Sequence, residues 1–148
     1  MKKLAFITLL LFTVPSSAER LGCTAISMAA TGQAAGKIRR FTDHFPSACM
    51  FIETLRTRTD EKPIALGKIC ELEGKSMSWE YADVSFNSGE FHDDKLYFEL
   101  SITPLELTGE EIKLCEVIFS KDNAVKLECT NDKRMSDIRP SLFSYDTN

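Results

Sequence analysis

The stretch from Ile112 to Cys129 constrains this chain more than any other, because alternation, a turn and two cysteines agree there on one pairing. With Lys121-Asp122-Asn123 as the loop, Phe119 faces Val125, Val117 faces Leu127 and Cys115 faces Cys129. That face is apolar and ends on the cysteine pair, whereas the other carries Glu116, Ile118, Lys126 and Glu128. A slip of one residue would turn the apolar set to solvent and separate the cysteines. The expectation is a β-hairpin closed by a Cys115–Cys129 disulfide.

A second hairpin follows from the same logic. Ala48 to Thr57 reads as a strand, Arg58-Thr59-Asp60-Glu61 as a loop with Thr57 facing Lys62, and Pro63 as the start of the return strand. An N–H is dispensable at that position. Phe51 then faces Lys68, Glu53 faces Leu66, Leu55 faces Ile64, and Cys49 falls opposite Cys70. A Cys49–Cys70 bridge is expected. Cys23 is the fifth cysteine and is left as a free or intermolecular thiol.

Disulfides persist only in oxidising compartments, and the start of the chain agrees. Lys2 and Lys3, the apolar run Leu4 to Val14 and the small residues Ser16-Ser17-Ala18 have the order of an export signal, expected over residues 1–18. Arg20 stands three residues before Cys23, where a lipoprotein signal needs an apolar residue. The mature chain is 148 residues less a leader of 18, enough for one domain. Lys2 and Lys3 leave with the leader, so 16 basic side chains face 22 acidic ones, a net of −6. That balance argues against nucleic acid and anionic membrane surfaces as partners. No later run is long enough to insert in a membrane. The protein is expected to be exported, either secreted or periplasmic.

Residues 19–37 are rich in alanine, glycine and other small residues, and are expected to form a mobile arm or a short helix. The domain proper is expected over residues 38–148, with a first short strand at Ile38 to Thr42 and a turn at Asp43-His44-Phe45-Pro46. In Ser76 to Phe86 the apolar residues alternate as Met77, Trp79 and Tyr81 and then shift phase to Val84 and Phe86, as at a β-bulge. Trp79 is expected in the core. Asn87-Ser88-Gly89 and His92-Asp93-Asp94 read as loops. Lys95 to Thr103 is a clean strand, with Leu96, Phe98, Leu100 and Ile102 inward and Tyr97, Glu99, Ser101 and Thr103 outward. Beyond Cys129, the apolar residues Met135, Ile138, Leu142, Phe143 and Tyr145 interrupt a polar tail that is expected to lie over a sheet edge or fray. Strands spaced about ten residues apart with no intervening helix predict an all-β, antiparallel, disulfide-braced β-sandwich of fibronectin type III or immunoglobulin-like kind. A small closed barrel is the alternative.

The residues that carry chemistry are sparse. The only histidines are His44 and His92, and His92-Asp93-Asp94 lacks the glycine and glutamate of a calcium loop. Gly-x-Ser-x-Gly, HExxH and phosphate-cradling glycine loops are absent from the sequence. No catalytic residue, metal or cofactor is expected. Tyr97 with Glu99, outward on the cleanest strand, is the expected contact with a protein partner.

The leader Met1-Lys2-Lys3-Leu4, the mature length and a strand-only domain starting near Arg40-Phe41-Thr42-Asp43-His44 resemble the interleukin receptor mimic proteins, small secreted proteins of enteric bacteria. The resemblance implies a fibronectin-like fold, binding of host cytokines and a homodimer formed by strand exchange. Ile26 and Met28 at one end, and Leu142, Phe143 and Tyr145 at the other, are the apolar residues such an exchange would use. No binding residue of that family carries over. Cys115 and Cys129 stand at the spacing of a pair in cytokine-receptor modules, but Trp79 does not follow a cysteine as those modules require. The expected function is a secreted, non-enzymatic protein-binding module. The alternative is a periplasmic inhibitor or immunity protein that blocks an enzyme such as a lysozyme, in which case a protruding loop would make the contact.

Overall fold

Period-two alternation sorts the side chains of the longer strands, and burying their apolar sets brings the strands together. A computed structural model describes residues 26–44, 48–106 and 108–138. Strands β1 (Ile26–Ala34), β2 (Lys37–His44), β3 (Met50–Leu55) and β4 (Ala65–Ile69) form one four-stranded sheet in that order. The two-residue strands β5 (Glu71–Leu72) and β6 (Lys75–Ser76) pair as a separate ribbon. A second four-stranded sheet follows from β7 (Tyr81–His92), β8 (Lys95–Pro104), β9 (Glu111–Ser120) and β10 (Asn123–Thr130). The helix α1 (Met135–Ile138) closes the described chain.

All strand pairs are antiparallel, and the expected disulfide-braced β-sandwich is what forms. Each sheet is a meander of consecutive strands, whereas immunoglobulin sandwiches are wired by Greek-key connections. Phe41, Met50, Ile52 and Ile69 of the first sheet meet Leu96, Phe98, Leu100, Ile102, Cys115 and Val117 of the second in one core. The Phe41 ring stands edge-on to Phe98 with centroids 4.9 Å apart, a favoured aromatic geometry.

The sheets also approach along their edges. Strand β4 lies beside β10 and β1 beside β7, but no ladder of hydrogen bonds merges the sheets. Two glycines set how close these edges come. A Cβ on Gly67 would sit 2.9 Å from the Ala124 amide nitrogen, and one on Gly32 would overlap the Phe91 ring. The four outer strands thus cover one another's edges, a usual way to limit edge-to-edge association.

Both disulfides form as expected. Cys49–Cys70 closes the mouth of the β3–β4 hairpin, and Cys115–Cys129 joins directly opposed residues of β9 and β10. Closing loops of 21 and 14 residues stabilises the fold by roughly 3 kcal/mol each. The expected β3–β4 register holds from Met50–Ile69 to Thr54–Ala65, with Phe51 opposite Lys68 and Glu53 opposite Leu66, but the ladder ends before the expected Leu55–Ile64 pair. The loop between these strands runs longer than expected, over residues 56–64.

Several expectations need correction. Residues 26–37 are neither mobile arm nor short helix. They form edge strand β1 and its turn into β2, with Ala35 and Gly36 both at positive φ. The late hairpin turns through two residues, Lys121 and Asp122, and a bulge at Val125 restores the expected pairing from Lys126 to Cys129. Ala124 therefore faces Phe119, and Val125 is exposed. Asn87-Ser88-Gly89 is not a loop but the bulged middle of β7. The bulge expected between Tyr81 and Val84 is present at Ala82. Residues 1–18, Cys23, Leu142, Phe143 and Tyr145 lie outside the described residues.

One end of the sandwich is closed by a buried cation. Arg39 projects inward from β2 and is 0 % exposed. Its Nη1 donates to the carbonyl of Asp122 at 2.6 Å and to the Thr54 hydroxyl, and Nη2 donates to the carbonyl of Lys121 at 3.0 Å. Nε donates to Ala34 O at 3.3 Å, and the guanidinium stacks 4.3 Å from the Phe119 ring centre. Burial lowers its pKa from the ordinary value, opposed by the charges of Asp122 and Asp94. An arginine remains protonated regardless. Arg39→Ala leaves these carbonyls without a donor and is expected to cost roughly 3 kcal/mol. Urea and thermal unfolding should show this as a drop of about 10 °C in midpoint. Arg39→Lys should recover little, because one ammonium cannot span the same acceptors. An unchanged midpoint in Arg39→Ala would mean that water serves those carbonyls equally well.

Candidate functional site

The opposite end is where side chains remain open to contact. After β6 the chain cannot continue as a strand, because residues 77–80 have no pairing partner among the described strands. It makes a tight turn instead. The Trp79 and Glu80 amides donate to Ser76 O at 3.4 and 3.0 Å, and the Ser76 amide donates to the Glu80 carboxylate at 2.6 Å. Met77 anchors the turn. Its amide donates to Cys70 O at 2.9 Å and its side chain is buried. In a turn of helical kind successive side chains rotate by about 100° rather than 180°. Two residues after a buried Met77, Trp79 therefore does not return to the core. It is 83 % exposed, so the expectation that Trp79 is a core residue is overturned.

A cleft of about 410 Å³ opens beside this turn, between the outer ends of β1 and β2 and the first residues of β7. Met77, Val84 and Phe86 give it apolar walls. The bulge at Ala82 brings Tyr81, Ala82 and Asp83 into its lining together. Asp43 and Asp83 contribute carboxylates. Ser27 donates to Asp43, and Ser85 donates to Asp83 at 2.8 Å. Among the described residues neither is in an ion pair, and the lining holds no lysine, arginine or histidine. The Tyr81 hydroxyl donates to Leu72 O at 3.1 Å, and burial, then the nearby Glu73, raises its pKa.

Tyr97 and Glu99, the expected partner-binding pair, do share the outer face of the second sheet, opposite Glu116 and Leu114. That face is only partly open. Met135 of α1 is buried against it, the Met135 amide donates to Glu99 Oε2 at 3.2 Å, and Arg134 Nη1 donates to Ile112 O at 3.3 Å. Glu99 thus holds the chain's own C-terminal segment. Tyr97 is half-buried in a smaller cleft of about 200 Å³ that Ile138 and Lys133 help to line. Lys95 beside it donates to Glu116 at 3.1 Å, a bond that raises the lysine pKa.

His92-Asp93-Asp94 has a structural role. Both oxygens of the Asp94 carboxylate accept from the Gly36 amide, at 2.9 and 2.7 Å, and Asp94 O accepts from Ala35 N at 2.7 Å. The β1–β2 and β7–β8 turns are thereby joined. Among the described residues, no group of three His, Cys, Asp or Glu is placed to hold a metal ion. None of their helices is long and apolar enough to cross a membrane.

No protein-family model, curated protein or solved structure matches this chain. The geometry defines a disulfide-braced antiparallel β-sandwich with an aromatic turn and a cleft at one end. Its disulfides fit an extracellular or periplasmic compartment. Trp79 is the chain's sole tryptophan, so its fluorescence reports on this turn alone. Acrylamide is expected to quench the native protein almost as strongly as the denatured one. Trp79→Ala should change stability by less than about 0.5 kcal/mol, whereas Met77→Ala should cost about 2–5 kcal/mol. A tryptophan shielded from quencher in the native state would place it in the core after all.

Proposed function

We propose that the mature chain is an exported protein-binding module without catalytic activity, and that its contact surface centres on the Trp79 turn. The observation that carries this is a tryptophan 83 % exposed on a turn braced by hydrogen bonds. Tryptophan is among the side chains most often responsible for interface energy. An exposed one adds nothing to the core, while its large apolar surface is available to a partner. A turn already fixed by the Met77 anchor loses little entropy on binding.

The partner class rests on two lines of support. The resemblance to interleukin receptor mimics points to a host cytokine. The protruding turn favours the second reading, an inhibitor or immunity protein acting on an enzyme such as a lysozyme, since such proteins insert one loop. A homodimer belongs to the same proposal. Leu66 and Val125, both exposed where β4 runs beside β10, are the apolar surface it would cover.

The test is binding of the purified mature protein to a panel of purified cytokines and cell-wall hydrolases, repeated with Trp79→Ala and Tyr97→Ala. One class is expected to bind. Trp79→Ala should weaken that binding about tenfold or more at an unchanged thermal midpoint, and Tyr97→Ala should have the smaller effect. Equal binding by the Trp79 variant, or turnover of a substrate that persists through purification, would refute the proposal.

A further inference from the structure

The cleft beside Trp79 has a chemistry of its own, and we infer that it receives an arginine side chain presented by the protein partner. The inference rests on the binding proposal above and names the group that the site takes. Its walls are apolar at Met77, Val84 and Phe86, while Asp43 and Asp83 supply negative charge with no basic residue among the described lining residues. Each carboxylate is steadied by a serine hydroxyl, from Ser27 and Ser85, so each is held in place with acceptor capacity left over. Several carboxylates elsewhere are instead paired within the chain. Glu53, Glu73, Glu116 and Asp122 each have an arginine or lysine from the chain itself.

A ligand that suits this cleft combines an aliphatic stem with a cationic head. Lysine and arginine both do. Arginine is the better match, because its planar fork pairs with carboxylates at two points and stacks on aromatic faces. Trp79 directly follows the lining residue Ser78 and is exposed, so the turn that borders the cleft carries an indole able to report on its occupancy. A volume of about 410 Å³ accommodates such a side chain with its flanking backbone. The net charge of −6 expected for the mature chain draws a cationic partner toward it.

The experiment titrates the mature protein with the peptide acetyl-Gly-Arg-Gly-amide and with its citrulline counterpart, which keeps the shape and removes the charge. Fluorescence of Trp79 is the readout. The arginine peptide is expected to give a saturable change that weakens with added salt, and the citrulline peptide to bind several-fold more weakly. Asp83→Asn and Asp43→Asn should each raise the dissociation constant about threefold, with midpoints near that of the wild type. Asp132→Asn, on the loop after β10, should leave it unchanged. Equal binding of the two peptides, no saturable change at any soluble concentration, or unaltered binding by both folded aspartate variants would overturn the inference. Loss of partner binding in Trp79→Ala with none in the aspartate variants would overturn only the arginine assignment. Binding by all three variants at wild-type strength would remove the contact surface itself.

Discussion

Arg39 is the interaction on which the rest of the sandwich depends. A charge is costly to bury unless its hydrogen bonds are satisfied. Here the guanidinium spans acceptors from β1, β3 and the β9–β10 turn, so it is satisfied only when both sheets are assembled. The Thr54 hydroxyl and the Asp122 carbonyl close the same network. Lys37 pairs with the Asp122 carboxylate above it. That hydrogen bond, with the charges of Lys37, Arg39 and Lys121, holds the carboxyl pKa below the ordinary aspartate range. Its contribution to stability is therefore complete above the ordinary aspartate pKa and is lost as pH falls through the lowered folded value.

The two ends of the molecule are held together differently. At the Arg39 end three turns meet, through Asp94 on the Gly36 amide and through Asp122 with Lys37. At the far end the strands part around the cleft, and the brace is covalent. Cys70 is bonded to Cys49, and its carbonyl receives the Met77 amide, so the disulfide and the Trp79 turn are one residue's backbone apart. Rigidity there comes from the disulfide and the turn bonds, which leave Trp79 outside the core.

Much of this architecture is legible in the residues, for identifiable reasons. The registers of β3–β4 and most of β9–β10 could be read because alternation and cysteine pairs restrict them independently. The strand β1 is hidden because alanine, glycine and serine carry no clear period. Those small residues are needed where Gly32 lies against Phe91. Trp79 is misleading for a different cause. The alternation of Met77, Trp79 and Tyr81 is real, but a strand needs a neighbour, and residues 77–80 have none among the described strands. Tyr97 does face outward, yet the cover from Met135 depends on a tail whose sequence is mostly polar. The burial of Arg39 has no local sign in the sequence, because its acceptors on Ala34, Thr54 and the Lys121-Asp122 turn come together only in the fold.

Hydrogen exchange of the mature protein, free and bound to whichever purified cytokine or wall hydrolase it captures, tests most directly whether contact is made at the open end. The expected result is slowed exchange across residues 76–86, which hold the Trp79 turn and the lining of the cleft, with the face of β8 and β9 unchanged. Slowing confined to residues 95–103 and 112–118, with the 76–86 segment unaffected, would contradict it and return the site to the Tyr97 face.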